Sequence, residues 1–261
     1  MIRSLLLTLL VGLIPFTAAA QFADIPNTRP SGQAGALMFE GPVSDDTEFD
    51  GFELAIGGAF AQQLQAVTHS GPNLDNDGIG RGFNLATANL DLDARMARGI
   101  NLHVRTYLSS RHHAEAWVKG GYLIMDQLPF IKSPRIENLM DFLTIKVGVM
   151  EINYGDVHFR RSDNGKVVNN SFVGNYIMDG FTTAPAAEFL VRSDGWLAMA
   201  ALTGGSLKPS LANYSGRSDS YEAYNMGEEL AFYWKAGFDK ELGETARLRA
   251  TISGYHNSEH H

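Results

Sequence analysis

The chain has 261 residues, no cysteine, 27 glycines and a formal net charge of −8. Without cysteine it is neither a lipoprotein nor a protein held together by disulfides, and its acidity argues against a nucleic-acid partner. A chain of this length permits one large β domain or two smaller ones.

The N-terminus has the three parts of a secretory signal peptide. Arg3 is the basic start, the apolar run 5–16 is too short to span a bilayer, and the alanines at 18–20 form a small-residue cleavage site. We therefore predict a signal peptide over 1–20, in preference to a buried N-terminal helix. Removal of a signal peptide places the mature protein outside the cytoplasm.

The next residues, 21–50, are rich in Pro, Gly, Asp and Ser and show no period, so we expect an extended N-terminal segment. From 51 to 261, alternation of apolar and polar residues predicts a β domain of about nine strands. The strands are expected near 52–68, 86–97, 101–109, 114–127, 142–154, 186–192, 196–204, 232–239 and 247–253.

The connections between these strands differ in length according to the side of the sheet. Pro134 suits the first turn of a short helix in a connection of medium length. One end of the sheet would carry long polar loops at 69–82, 155–182 and 205–227, and the other tight turns at 98–100, 193–195 and 241–245. This asymmetry is typical of an antiparallel transmembrane β-barrel of the outer membrane.

A barrel also explains how the charged residues of these strands are accommodated. In a closed sheet the apolar face meets lipid and the polar face meets a lumen, where water removes the cost of burying charge. The residues expected to line the lumen are Asp91, Asp93, Arg95, Arg105, Lys146, Lys235, Arg247 and Arg249. The alternative is a secreted, soluble β-sandwich, whose strands also alternate but whose apolar faces share a dry core.

Three long segments carry a resemblance to a known family: "YLSSRHHAEAWVKGGYL", "DFLTIKVGVMEINYGDVHFRRSDNG" and "NSFVGNYIMDGF". They resemble the outer-membrane porin family that includes the phosphate-selective porins, particularly its porin-like members from environmental bacteria. The resemblance covers roughly residues 83–255. It implies a barrel of about sixteen strands, commonly trimeric, through which small anionic solutes diffuse. Bacterial single-chain barrels have an even number of strands, whereas nine are predicted here, and the chain does not end in a strand with a terminal aromatic residue. We therefore expect the chain to be C-terminally incomplete, with the remaining strands after His261.

The loop 155–182 contains the residues expected to narrow the channel. The resemblance implies that one long loop folds inward, and it would present positive charge through His158, Arg160, Arg161 and Lys166, which attracts anions. The alternative is a solvated surface loop whose arginines pair with nearby aspartates. Specificity for phosphate is not expected, because acidic residues such as Asp91 dilute the basic ones.

We predict that the protein is not an enzyme and that it has no cofactor. Asp156, His158 and Ser162 are close in the sequence, but no motif fixes a nucleophile against a base. Histidine pairs at 112–113 and 260–261 point to opposite faces of a strand, so no metal site is predicted.

The sequence therefore predicts a passive outer-membrane channel for small hydrophilic solutes, with a bias toward anions. Its partners would be those solutes, outer-membrane lipid and two further copies in a homotrimer. Two alternatives stay open: a non-conducting surface barrel for adhesion or scaffolding, and the soluble sandwich acting as a binding protein.

Overall fold

The computed structural model describes residues 38–41, 48–62, 64–66, 81–83, 86–109, 116–156, 159, 183–204, 230–243 and 246–256. Nearly all regular structure in these ranges is β-strand, and there is one short helix, α1 (Pro134–Met140). The strands are β1 (Glu53–Ala61), β2 (Leu64–Ala66), β3 (Arg81–Phe83), β4 (Thr87–Ala97), β5 (Ile100–Ser109), β6 (Ala116–Met125), β7 (Leu143–Glu151), β8 (Thr183–Ser193), β9 (Trp196–Thr203), β10 (Ala231–Leu242) and β11 (Ala246–His256).

Within the described residues, nine strands form one antiparallel sheet in the order β1-β4-β5-β6-β7-β8-β9-β10-β11. Each strand pairs with the next along the chain, except that β1 pairs directly with β4 and the small β2–β3 hairpin lies outside the sheet. The all-β, antiparallel prediction is therefore confirmed. In this part of the chain β1 and β11 are the two edge strands, each paired with a single neighbour.

The first predicted strand is too long. It was expected to reach Thr68, but β1 ends at Ala61, and a separate strand, β2, begins at Leu64. The physical reason is visible in the sequence, because Gln62 and Gln63 place two amides in succession and break the alternation. The other eight strands of the large sheet lie where the alternation predicts them, within a few residues at their ends.

The predicted tight turns at 98–100 and 193–195 are confirmed at one end of the sheet, and residues 244–245 of the third lie outside the described residues. Asp194 and Gly195 form a two-residue hairpin with φ of 50° and 80°, a geometry that suits the twist of antiparallel strands. The carbonyl of Gly195 accepts a hydrogen bond from the Asp239 amide at 2.7 Å, and that of Gly99 accepts one from the Asp126 amide at 3.0 Å. The first bond joins the β8–β9 turn to β10, and the second joins the β4–β5 turn to the residue that follows β6.

The predicted helix forms in the connection between β6 and β7. Pro134 is at its start, where the missing amide hydrogen costs nothing and the fixed φ suits a helix. Of the side chains of α1 only Met140 is buried, so the helix covers little of the sheet.

Candidate functional site

All eight residues that were predicted to line a lumen lie on one face of the sheet, which we call the polar face. Side chains directly opposite each other in a ladder point the same way, and the register pairs Asp91 with Arg105 and Asp239 with Arg249. Lys146 is likewise opposite Glu188. The registers of the intervening strands connect these pairs, so charged residues from β4 to β11 share a single surface.

The polar face is the more buried of the two. Asp91, Glu188 and Lys235 are 4%, 5% and 1% exposed, whereas large apolar side chains on the opposite face are largely exposed. We call the opposite side of the sheet the apolar face. Its exposed members include Leu54, Ile56, Phe60, Leu90, Leu123, Val147, Phe189, Val191, Trp196, Leu202, Phe232, Leu248 and Ile252. This distribution is the reverse of that in a soluble protein, where apolar side chains fill the core.

A small apolar cluster lies among the charges of the polar face. Leu190, Leu197, Met199 and Tyr233 from β8, β9 and β10 pack together with Ile152. Tyr233 is completely buried, and its hydroxyl has no hydrogen-bond partner within the described residues. The charged groups on either side of this cluster are therefore close to a desolvated surface.

On β4 and β5 the charges form cross-strand pairs. Arg105 Nε donates to Asp91 Oδ1 at 2.6 Å and its Nη1 lies 3.9 Å from Glu151 Oε1. Asp93 Oδ1 lies 2.6 Å from His103 Nδ1. Asp91 is buried, and its short contact with the guanidinium of Arg105, which lies opposite it in the ladder, offsets the cost of that burial.

In the middle of the sheet, Lys146 lies over an aromatic ring. Its Nζ is 3.9 Å from the ring centroid of Tyr122, which is a cation–π contact. The carboxylate of Glu188 is opposite in the ladder, and its Oε2 is buried without a hydrogen-bond partner among the described residues. Together with Phe39, Glu40 and Arg192, these three side chains line a cavity on the polar face.

The densest group of charges brings together β10, β11 and two segments far from them in the sequence. We call these six side chains the Glu40 cluster: Glu40, Asp156, Lys235, Asp239, Arg247 and Arg249. All three cationic members were predicted from the sequence to line the polar side of the strands. Alternation along the strand also put Asp239 on the same side as Lys235, whereas Glu40 and Asp156 were not predicted to lie there.

Arg249 is the centre of this cluster. Its Nη1 and Nη2 donate to the two carboxylate oxygens of Glu40 at 2.8 and 2.9 Å, which is a bidentate pair. Its Nε and Nη2 donate to Asp156 at 2.9 and 2.8 Å, and Nη1 also donates to Asp239 at 2.8 Å. One guanidinium group therefore binds three carboxylates.

Lys235 is the most deeply buried cation of the cluster. Its Nζ is 2.9 Å from Asp156 Oδ1 and 3.7 Å from Glu40 Oε1, and it donates to Asn153 Oδ1 and to the carbonyl of Gly155. Burial alone would raise the pKa of Asp156, but hydrogen bonds from Arg249 and the charge of Lys235 outweigh it and hold that pKa well below its ordinary value. The Asp156 carboxylate thus remains ionised.

A short N-terminal segment, Phe39 to Gly41, lies against this cluster. The Phe39 ring centroid is 4.1 Å from the guanidinium carbon of Arg249, and its edge meets the ring of Phe159 at 5.7 Å between centroids. Arg192 Nη1 donates to the carbonyl of Gly41. Ring, carboxylate and backbone of the same segment are thus each bound by the polar face.

The residues predicted to form the constriction, His158, Arg160, Arg161 and Lys166, lie outside the described residues. From the same loop, Asp156 and Phe159 are described: Asp156 belongs to the Glu40 cluster, and Phe159 contacts the ring of Phe39.

Sequence reasoning missed Glu40, Glu188 and Arg192 as members of the polar face. The last two had a usable signal, since Glu188 and Arg192 are four residues apart in a strand and must share a face. Glu40 had none, because it lies in a segment without a period, 209 residues from its partner Arg249.

Among the described residues, no group of three or more His, Asp or Glu side chains is arranged to hold a metal ion. The helix content of these ranges includes no segment both long and apolar enough to cross a membrane. Comparisons with protein-family models, curated proteins and solved structures give no match for this chain.

Proposed function

We propose that this chain forms a porin-like channel of the bacterial outer membrane, through which small hydrophilic solutes, with a bias toward anions, diffuse passively. The observation that carries the proposal is the reversed distribution of side chains between the two faces of the sheet. Phe60 and Ile252 on the apolar face are 68% and 64% exposed, while Arg95 and Lys235 on the polar face are each 1% exposed. In water such an apolar face is unfavourable by about 25 cal/mol per Å², and contact with hydrocarbon removes that cost.

The strands have suitable lengths for a membrane. β7 has 9 residues, β4 has 11 and β10 has 12, and a transmembrane β-strand needs about 9–11 residues when tilted. Because hydrocarbon does not tolerate unpaired backbone groups, a membrane-spanning form requires further partners for both β1 and β11, which would come from additional strands of a barrel of about sixteen.

The proposal includes the route and the setting of the protein. The signal peptide predicted at 1–20 would direct export, the apolar face would contact outer-membrane lipid, and a homotrimer would form as the family resemblance implies. Bias toward anions would come from His158, Arg160, Arg161 and Lys166. An inward course of this loop is supported by Asp156 near its start, because the carboxylate of Asp156 is bound by Lys235 and Arg249 on the polar face.

Planar-bilayer electrophysiology tests this function. Purified protein that includes the remaining strands of the barrel is expected to conduct and to give an anion-selective zero-current potential in a KCl gradient. The double variant Arg160→Ala/Arg161→Ala should shift that potential toward cations, whereas the control Arg135→Ala, on the exposed side of α1, should not. If the completed, folded protein does not conduct, the channel proposal is wrong, and if the double variant leaves the zero-current potential unchanged, the proposed selectivity mechanism is wrong.

A second candidate is a non-conducting surface barrel used for adhesion or as a scaffold. It is favoured by the Glu40 cluster itself, in which every carboxylate has a cationic partner and an N-terminal segment lies across the polar face. Swelling of protein-containing liposomes in small sugars separates the two: a channel admits the sugar, and a closed barrel gives no swelling. Extraction without detergent would instead favour a soluble protein.

A further inference from the structure

The side chain of Glu40 borders two cavities. One, of about 110 Å³, is lined by Lys146, Glu188 and Tyr122; the other, of about 280 Å³, lies beside the β8–β9 turn and is lined by Asp239 and Arg247. Glu40 and Arg192 line both of them. The side chain of Glu40 therefore forms part of the wall that separates the two spaces.

Glu40 is held as a bound ligand would be. Its carboxylate receives two parallel hydrogen bonds from Arg249 and is 3.7 Å from Lys235 Nζ, and its side chain is only 7% exposed. No strand or helix of the described chain includes Glu40. The contacts that hold it come from side chains of β10 and β11, which are rigid elements of the sheet.

The charges of the Glu40 cluster define what would replace this carboxylate. Within the cluster three cationic side chains balance three carboxylates. Without Glu40, two hydrogen-bond donors of Arg249 and the Nζ of Lys235 lose the carboxylate that faces them in a largely buried part of the site. These groups match the carboxylate of a solute, because burial of an uncompensated charge is strongly unfavourable.

The neighbouring residue adds a preference for an aromatic group. A guanidinium donates hydrogen bonds in its plane and leaves its faces free to stack, so Arg249 binds the Glu40 carboxylate and the Phe39 ring at once. Arg247 lies 5.8 Å from the same ring centroid, and Phe159 meets the ring edge on. The polar face thus contains a place for a carboxylate beside a place for a ring.

We propose that Phe39 and Glu40 are an internal ligand, and that the site they occupy binds aromatic monocarboxylates when the segment moves away. This inference rests on the proposed function, because the channel would bring the solute to the site. Binding itself does not depend on conduction. In this arrangement the N-terminal segment competes with the solute and partitions the polar face until it is displaced.

The test is a binding titration of phenylacetate to the folded protein in detergent, measured by calorimetry. Glu40→Gln keeps the shape of the side chain but removes its charge, and we expect it to raise phenylacetate affinity at least tenfold over the unsubstituted protein. The neutral analogue phenylacetamide should not gain affinity. The matched control is Glu241→Gln, because Glu241 is exposed and lies opposite Arg247 in the ladder but does not occupy the site; it should change affinity less than twofold.

A second variant provides the same test if the first does not fold. Glu40→Asp keeps the charge but shortens the side chain by one methylene, which weakens the bidentate pair, so an increase of about threefold is expected. No gain in either variant, or an equal gain for phenylacetamide, would overturn the proposal. Conductance is measured separately. A gain in phenylacetate affinity without conductance would refute only the channel, and conductance without a gain in affinity would refute only the ligand site.

Discussion

Replacement of Arg249 by methionine should be one of the most damaging changes on the polar face. Methionine keeps most of the length of the side chain but removes the cation, leaving Glu40, Asp156 and Asp239 without five hydrogen bonds of 2.8–2.9 Å. Breaking a buried ion pair by removal of one partner costs about 3–5 kcal/mol. Because the Asp156 side chain is 25% exposed and can be hydrated, we expect the lower end, about 3 kcal/mol.

Arg247→Met is the matched control, since Arg247 lies on the same strand and the same face, two residues earlier. Its side chain is 43% exposed and pairs with Asp239, so its loss should cost about 0–1 kcal/mol, as for other solvent-exposed pairs. Urea unfolding from lipid vesicles, followed by tryptophan fluorescence with equal m-values, gives both free energies of unfolding. If the two variants lose the same free energy within about 0.5 kcal/mol, the Glu40 cluster does not contribute to stability in the way the contacts indicate.

Three further predictions concern acid sensitivity, a turn and the apolar face. Folding lowers the pKa of Asp156, so its contribution to stability is fully present above the unfolded-state pKa of about 3.9 and is lost as the pH falls below that value. In acid unfolding titrations, the free energy of unfolding of the wild type should therefore decrease more steeply than that of Asp156→Asn, by up to about 1.4 kcal/mol per pH unit. Gly195→Ala should lower the free energy of unfolding by about 1–3 kcal/mol, because at a φ of +80° an added Cβ would lie 2.9 Å from the carbonyl oxygen of Asp239. Gly243 has a similar φ but open space around it, so Gly243→Ala should cost less in the same urea assay, and equal losses would contradict the steric argument. Val147→Lys, on the apolar face at the middle of β7, should cost about 2–4 kcal/mol in vesicles, and a change within about 0.5 kcal/mol would show that this face meets water.

Local features of the fold were predictable because they depend on residues that are neighbours in the chain. Successive residues of a strand point to opposite sides, so the alternation of Leu90 and Asp91 is enough to assign each to a face. A two-residue turn needs positive φ, which explains why Asp194-Gly195 could be recognised as a hairpin. The constriction residues around Arg160 remain predictions, since they lie outside the described residues.

The sequence by itself determined where the strands of the large sheet lie, apart from the end of β1, which of their side chains share a face, and that charges would gather on one of those faces. Tertiary structure alone decided which charges meet. Alternation specifies a side of the sheet but not the height of a residue relative to another strand, and it says nothing of a segment without a period. The contact of Glu40 with Arg249 spans 209 residues and depends on the route of the N-terminal segment over the sheet, which only the packing of the whole chain establishes.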